Sequence, residues 1–291
     1  MNRPLLSALQ KLRSTDDGQL SASALTRAQQ DALDEFCQRT GALQLQRSGR
    51  GRVFRILRHE VVAQHIAELA PATGTELSEA LPVRASNIGR TRSSKGGKQG
   101  HEVFYLLVKT LGKPHWENQH GQILDLHQQT QTQGVAALAI GARSAVSWQT
   151  KSPIWLVENQ ALFDELNWLP EQRACTVGWY SGHLRNALIH WLGQQKDIPV
   201  ILFPDYDGVG LHNYLRLKQR LGPRASLWLM PDWQRKLKKY GSNALWQKTQ
   251  SDFQVAVKGL AVKCSAEREL QQLIETMQTH GMALEQEAVW L

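Results

Sequence analysis

The chain has 291 residues, of which 42% are hydrophobic and 21% are charged. That length is enough for two or three domains, and the composition is typical of a globular protein rather than a disordered or fibrous one. No stretch approaches the roughly 20 consecutive apolar residues of a transmembrane helix, and the N-terminal segment lacks the apolar core of a secretory signal. We therefore expect a soluble protein with no membrane partner.

Charge and cysteine usage indicate the partners and the compartment. Lys and Arg number 34 against 26 Asp and Glu, which gives a formal net charge of +8. Such a balance favours polyanionic partners, nucleic acids above all. The cysteines at positions 37, 175 and 264 are widely separated and lack the spacing of a metal site, so we expect free thiols in a reducing cytoplasm.

Residues 1–70 predict a winged-helix-like α+β domain that binds DNA. Two amphipathic helices are followed by two alternating segments around a glycine-rich turn, which is the pattern of a β-hairpin. We expect Arg47, Arg50 and Arg52 of this hairpin to contact the DNA backbone, because no base-reading motif accompanies them and no acid follows before Glu60. The alternative is a solvated strand edge, where charge deters aggregation.

Residues 71–150 are interpreted as a basic region that contacts DNA and connects two domains. The glycines and serines around positions 85–100 predict a flexible loop that closes on phosphates, with a solvated linker as the alternative. A strand is expected at 103–108, and the small apolar run at 135–140 is interpreted as a helix. The expected DNA contacts in this region are Arg84, Arg90, Arg92, Lys95 and Lys98.

From residue 151 short apolar runs alternate with amphipathic segments. Strands are predicted at 154–157, 174–179, 199–203 and 225–230, with helices between them at 159–168, 183–192 and 211–221. This alternation predicts an α/β domain over residues 151–291, in which helices flank a parallel sheet. The segment after residue 250 is predicted to be helical.

Three acidic residues follow two of these predicted strands, Glu158 after the first and Asp205 and Asp207 after the third. Because parallel strands end at the same edge of a sheet, the three carboxylates are expected to converge there. Converging carboxylates repel one another unless a cation lies between them. Oxygen-only ligands suit Mg²⁺ or Mn²⁺, and these ions suit phosphate chemistry.

Small residues near these acids are candidates for phosphate contacts. Ser181 and Gly182 form a turn after the second predicted strand, and His183 is expected to begin a helix whose N–H groups receive a phosphate. A solvated histidine is the alternative for His183. Gly208 and Gly210 are expected to let the backbone bend and a phosphate approach closely.

Two other kinds of site share the segment that starts at Asp205. A helix–loop–helix calcium site is excluded, because Val209 and Arg216 occupy places that need an oxygen ligand and a glutamate. A haloacid-dehalogenase-like phosphatase also has a strand followed by Asp-x-Asp-Gly, although it places that element near the start of its catalytic domain. This phosphatase is kept as an alternative function.

The order strand–Glu, strand–Gly turn, strand–Asp-x-Asp resembles the Toprim domain of primases, topoisomerases and some nucleases. The motifs V-E-N-Q-A-L-F, W-Y-S-G and F-P-D-Y-D-G-V-G resemble the Toprim domain of archaeal-type topoisomerase A subunits. With the terminal L-E-Q-E-A, they also resemble the JetD-like nuclease subunits of Wadjet and related SMC-type plasmid-defence systems. The resemblance covers residues 150–291.

The resemblance implies a metal-dependent DNA endonuclease that serves an SMC–kleisin complex against plasmid DNA. Glu158, Asp205 and Asp207 would hold Mg²⁺ or Mn²⁺, or Glu158 would act as general acid or base. Glu285 and Glu287 are candidates for outer-shell or second-metal ligands. Cutting double-stranded DNA with one site per chain suggests a homodimer. The alternative is a DNA-binding or assembly subunit with the same fold that does not cleave.

Overall fold

The computed structural model describes residues 3–49, 51–70, 81–95, 97, 103–141, 147–170, 173–195, 197–264 and 267–291. The chain divides into two compact units, Met1–His101 and Glu102–Leu291. Within the described ranges, no helix combines the length and apolar character needed to cross a membrane. The expected DNA contacts Arg50 and Lys98 lie outside the described residues.

The first unit combines helices with a three-stranded antiparallel sheet in the order β1-β3-β2. The predicted hairpin is confirmed: β2 and β3 pair from Leu43↔Ile56 to Ser48↔Gly51. Its core is formed by apolar side chains from both layers, such as Leu9, Leu33 and Phe54. The elements of this unit are α1 (Arg3–Arg13), β1 (Gln19–Ser21), α2 (Arg27–Thr40), β2 (Leu43–Ser48), β3 (Gly51–Ile56), α3 (His59–Leu69) and α4 (Val83–Thr91).

The second unit is built on a six-stranded sheet in the order β11-β10-β8-β9-β4-β6. The first four strands in this order are parallel to one another, and β4 runs antiparallel to both β9 and β6. A mostly parallel sheet flanked by helices is therefore confirmed. The strands are β4 (Val103–Leu111), β5 (Trp116–Asn118), β6 (Ala136–Gly141), β7 (Trp148–Thr150), β8 (Ile154–Val157), β9 (Cys175–Trp179), β10 (Val200–Phe203) and β11 (Ala225–Leu227).

The helices of the second unit follow the predicted alternation, with shifted ends. They are α5 (Leu126–Gln133), α6 (Gln160–Asp164), α7 (Asn186–Gln194), α8 (Gly208–Leu221), α9 (Trp233–Tyr240), α10 (Asn243–Lys263) and α11 (Arg268–His280). Short 3₁₀ helices include Leu166–Trp168 after α6 and Gln286–Trp290 near the C terminus. The third predicted helix begins three residues earlier than expected, because Asp207 caps it by accepting a hydrogen bond from the Gly210 N–H.

The apolar run at 135–140 was predicted to be a helix, and this prediction is wrong. Residues 136, 138 and 140 are buried whereas 137, 139 and 141 are exposed, so the run alternates with the two-residue period of a strand. This strand, β6, pairs with β4, which also pairs with β9. Residues 103–141 thus belong to the same sheet as the strands after 151, and the chain divides near residue 101 instead of at 150.

The last residues of the chain return to the carboxyl edge of the parallel strands. Tyr206 and Leu284 exchange two backbone hydrogen bonds, of 2.8 and 3.0 Å. The Ser242 N–H, at the start of α10, donates to the carbonyl of Ala283 over 2.7 Å. The segment that contains Glu285 and Glu287 therefore lies against the loop between β10 and α8.

Candidate functional site

Glu158 and Asp205 follow adjacent parallel strands. β8 and β10 are hydrogen-bonded neighbours in register up to Val157↔Phe203, so both acids leave the sheet at the same edge. Asp207, two residues further on, is 5% exposed. The structure thus brings the three predicted carboxylates close together, since the charges of Asp205 and Asp207 raise the pKa of Glu158 and the charge of Asp207 raises that of Asp205.

Burial and mutual repulsion raise the pKa of Glu158 to about 8. Desolvation is the largest cause, followed by the charges of Asp205 and Asp207. The buried Tyr180 hydroxyl donates to Glu158 Oε2 over 3.1 Å and opposes this rise. Because burial and the neighbouring acids raise the pKa of Tyr180 well above its ordinary value, this hydroxyl stays protonated as a donor.

The two aspartates have different local partners. Burial raises the pKa of Asp205 to about 7, against the effect of a 2.9 Å hydrogen bond from the Gln286 N–H. The charge of Asp207 raises it further. Burial also raises the pKa of Asp207, and hydrogen bonds from backbone N–H groups at the start of α8 oppose that rise. Asp207 is thus held as a helix cap, whereas Asp205 is held by the C-terminal segment.

Gln286 ties the two acid-bearing strand ends together. It is fully buried, and its Oε1 accepts a 2.9 Å hydrogen bond from the Asn159 N–H, directly after Glu158. Its Nε2 donates to the carbonyl of Phe203, at the end of β10, and its own N–H donates to Asp205. Sequence reasoning had considered only the acids on either side of it.

Glu285 and Glu287 both reach the site, with different exposure. Each raises the pKa of Asp205, which places their charges near that carboxyl. Glu285 is exposed, whereas Glu287 is half-buried and accepts a hydrogen bond from the Asn159 side chain through Oε1. Glu287 Oε2 is buried, and the described residues offer it no hydrogen-bond partner. An unsatisfied carboxylate oxygen beside other acids is suited to a cation.

The loop after β9 does not have the predicted helix start. α7 begins at Asn186, so the prediction that His183 begins a helix is wrong. Ser181 and Gly182 adopt left-handed backbone conformations, with φ of 51° and 69°, which delay the helix. His183 nevertheless lies near the acids, because its electrostatic effect lowers the pKa of Asp207.

A buried asparagine on α8, Asn213, fixes this loop beside the acids. Its Nδ2 donates to the carbonyl of Gly182 over 2.9 Å, and its Oδ1 accepts from the Leu184 N–H over 3.0 Å. Asn213 is completely buried, so these bonds satisfy a side chain that has no access to water. The loop that includes Ser181 is therefore held in place by the helix that follows Asp207.

Gly208 and Gly210 allow close packing, not the close approach of a phosphate that we predicted. A Cβ on Gly208 would lie 1.9 Å from the Thr249 carbonyl oxygen, and one on Gly210 would lie 2.1 Å from the Asp205 carbonyl oxygen. The space above both glycines is thus filled by protein. Their role is to let α10 and the Asp205 turn pack against the first turn of α8.

The predicted DNA contacts that the structure describes all lie in the first unit and are exposed. Arg47 and Arg52 face each other across the hairpin, and Arg52 also reaches Asp34 of α2 at 3.8 Å. Arg84 and Arg90 lie on α4, and Arg92 ends that helix in a left-handed conformation. Lys95 follows it. Part of the region predicted to be a flexible loop is therefore helical.

The carboxylate oxygens of this cluster are of the type that binds a divalent cation, but their present positions do not form a metal site. Across the described ranges, no group of three or more His, Cys, Asp or Glu side chains is arranged to hold a metal ion. Asp207 accepts the helix-capping hydrogen bond from the Gly210 N–H, and Glu158 accepts a hydrogen bond from the Tyr180 hydroxyl. All the acids are nevertheless hard oxygen ligands, and Glu287 Oε2 lacks a partner among the described residues. Binding an ion would require side-chain rotation.

The comparisons with known proteins concern the second unit. The model of a family described as a domain of unknown function (DUF7281) matches residues 105–290. This range includes Glu158, Asp205, Asp207 and the C-terminal segment with Gln286. No curated protein matches the chain. Since the match covers more than half of the sequence, the chain belongs to the DUF7281 family.

Proposed function

We propose that this protein is a divalent-metal-dependent endonuclease that hydrolyses phosphodiester bonds in double-stranded DNA. The observation that carries the proposal is the cluster of Glu158, Asp205 and Asp207 at one edge of the sheet, where desolvation raises all three pKa values and the charges of neighbouring acids raise them further. Such a cluster is costly to keep ionised without a cation. Mg²⁺ or Mn²⁺ would be held by these three side chains, with Glu287 as a further oxygen ligand.

The bound ion would polarise the phosphate and activate a water molecule as the nucleophile. The residues of the chain position these groups. Tyr180 orients Glu158 through its hydroxyl, and Gln286 fixes the spacing between the Glu158 and Asp205 strand ends. Asp207, which caps α8 through the Gly210 N–H, would complete the set of oxygen ligands.

The order in which the acids follow the strands supports the proposal that the second unit is a Toprim domain. β8 precedes Glu158, β9 precedes the Ser181–Gly182 turn, and β10 precedes Asp205. The hairpin arginines of the first unit support a winged-helix-like DNA-binding role. Service to an SMC–kleisin complex belongs to the same proposal and rests on the resemblance alone. A homodimeric assembly also belongs to it, because one site per chain would have to cut two strands.

A supercoiled plasmid with Mg²⁺ or Mn²⁺ at low salt tests the proposal. We expect nicking or linearisation by the wild-type chain and a loss of at least about 100-fold in the Asp205→Asn variant, since a metal ligand is removed. Asp197→Asn is the matched control, because Asp197 is exposed and lies before β10, at the opposite end of that strand. Equal cleavage by both variants would refute the proposed site.

A non-cleaving DNA-binding or assembly subunit is the second candidate. The capping role of Asp207 favours it, because this carboxylate already has a structural function without a metal. Such a protein would bind plasmid DNA without cutting it, and Asp205→Asn would leave the affinity unchanged. Turnover of a small phosphomonoester in place of DNA would instead favour a phosphatase.

A further inference from the structure

The helix α9 exposes a basic face that the proposed function has not yet used. Its sequence is W-Q-R-K-L-K-K-Y, and Trp233, Lys236 and Leu237 are its buried residues. Arg235, Lys238 and Lys239 are exposed on the remaining surface of the helix. The burial pattern therefore separates one anchoring face from one solvent-facing basic face.

Hydrogen bonds at both ends place α9 beside the acid cluster. Before the helix, the Met230 N–H donates over 2.6 Å to the hydroxyl of Tyr206, the residue between the two aspartates. After the helix, the Ser242 N–H donates to Ala283, two residues before Glu285. Both flanks of α9 are thus tied to the segments that contain the carboxylates.

A third hydrogen bond attaches the middle of the helix to the same region. The ammonium group of Lys236, which is 6% exposed, donates over 3.0 Å to the carbonyl of Val289. Val289 lies in the 3₁₀ helix that also contains Glu287. The anchoring lysine is therefore not available to a ligand, and it holds the exposed lysines near the acids.

The exposed basic groups have few acidic partners. Arg235 lies 3.5 Å from Asp232, with both side chains 69% exposed, and such a pair contributes little. In the ranges that the structure describes, Lys238 and Lys239 form no ion pair, and Lys239 lies over the ring of Tyr240. Positive charge therefore remains available next to a cluster that would itself repel a polyanion.

We infer that Arg235, Lys238 and Lys239 of α9 bind the phosphate backbone of duplex DNA beside the acid cluster. The inference rests on the proposed function and names the surface of the second unit that holds the substrate. The hairpin of the first unit would then not be the sole DNA contact. Each phosphate contact adds about 0.9 to the dependence of log affinity on log salt concentration, so this surface has a measurable signature.

The experiment uses the full chain with Asp205→Asn, so that binding is measured without cleavage. Affinity for a short duplex is followed by fluorescence anisotropy between about 50 and 200 mM salt. The test variant adds Lys238→Gln and Lys239→Gln. We expect about tenfold weaker binding near 100 mM salt and a salt slope smaller by about 2, because two phosphate contacts are lost.

Lys258→Gln with Lys263→Gln is the matched control, because it removes the same charge from exposed positions of α10. A Cβ on Gly208 would meet Thr249, and one on Gly259 would meet Leu215, so α10 runs alongside α8 away from Asp207. Lys258 and Lys263 therefore lie toward the far end of both helices. We expect this pair to leave the salt slope unchanged. Melting temperatures of both variants verify that the fold is retained.

The outcomes separate this inference from the nuclease proposal. An equal salt slope for the α9 variant and its parent, or no binding of duplex DNA by the parent, would overturn the inference. If the wild-type chain does not cleave plasmid but the α9 variant has the smaller salt slope, the inference that α9 binds DNA is supported and the nuclease proposal fails. If wild type cleaves and the slope does not change, the reverse holds.

Discussion

The basic hairpin of the first unit and the acid cluster of the second present charge in opposite ways. Arg47 and Arg52 are exposed on neighbouring strands, only a few residues apart in the chain. Glu158, Asp205 and Gln286 are separated by tens of residues and meet only because β8, β10 and the C-terminal segment pack together. Exposed charge near in sequence suits a large polyanion, whereas buried charge assembled by the fold suits a small ion.

Removing the tie between the acid-bearing strands tests the assembled region most strongly. Gln286→Ala leaves the half-buried N–H of Asn159 and the buried carbonyl of Phe203 without these hydrogen bonds, so we expect the free energy of unfolding to fall by about 2–4 kcal/mol. Plasmid cleavage should be lost, because the spacing of Glu158 and Asp205 is no longer fixed. Urea unfolding measures the change in stability, and a plasmid cleavage assay at temperatures below the melting midpoint of the variant measures the loss of activity.

Gln195→Ala is the control for this variant. Gln195 is also buried, and its side chain donates to the carbonyl of Trp148, but it lies before β10 instead of after it. We expect Gln195→Ala to lower stability and to leave cleavage by the folded fraction intact. Loss of cleavage in both variants would mean that Gln286 acts only through global stability.

Neutralising the hairpin tests the exposed region. Arg47→Gln with Arg52→Gln should weaken duplex DNA binding about tenfold near 100 mM salt and reduce the salt slope by about 2. Stability should change by less than about 1 kcal/mol, because the Arg52–Asp34 pair is largely open to solvent at a 3.8 Å separation and the two arginines face each other unfavourably. Anisotropy titrations and thermal melting measure these quantities.

Arg27→Gln with Arg39→Gln removes the same charge from the same unit. Both arginines lie on α2, where each is paired with an acid four positions away along the helix. Their loss should leave the salt slope nearly unchanged. Equal losses in the two double variants would mean that net charge, and not the hairpin, determines DNA affinity.

The smallest expected effect is the pH dependence of stability. The pKa of Glu158 is raised from an ordinary 4.5 to about 8, so its contribution to stability is fully present below about 4.5 and is lost as the pH rises through 8. We expect the melting temperature without divalent ions to fall by about 2–6 °C between pH 5 and pH 8. Mg²⁺ should restore more of it at pH 8 than at pH 5.

Glu158→Gln shows whether this carboxyl is the cause. Glutamine has no charge to desolvate, so the fall in melting temperature and the larger Mg²⁺ effect at pH 8 should both shrink. A variant with the same pH dependence as wild type would assign the effect to other groups. Differential scanning calorimetry with a chelator, and then with Mg²⁺, provides the comparison.

Local patterns predicted the hairpin and the strand–helix alternation well. In both, the hydrophobic period and the turn residues lie within a few positions of one another. The apolar run at 136–140 was wrongly predicted to be a helix, because alanine is compatible with both helix and strand. Only its pairing with β4 determines that it is a strand. The prediction that His183 begins a helix was wrong for a related reason. Ser181 and Gly182 adopt left-handed conformations that delay the helix, and a serine rarely adopts such a conformation, so the sequence does not indicate it.

The sequence predicted which acids lie at the site and at which edge of the sheet, but not the polar residues that hold them in place. Glu158 and Asp205 follow apolar runs, and parallel strands end at one edge whatever the other contacts are. Gln286 and Asn213 act through contacts across long sequence separations, which no local pattern encodes. The contact of Tyr180 with Glu158 could have been predicted, because Tyr180 directly follows a strand that ends at the same edge as the strand before Glu158.

The backbone exchange between Tyr206 and Leu284 has a consequence for synthesis on the ribosome. A nascent chain that has reached Asp207 already contains Glu158 and both aspartates, yet Gln286 is still more than 70 residues from being added. Until then, the two acid-bearing strand ends lack their tie and Asp205 lacks its backbone donor. A chain that stalls during translation would thus carry the proposed catalytic acids without an assembled site, so the site forms only once the C-terminal segment has been added.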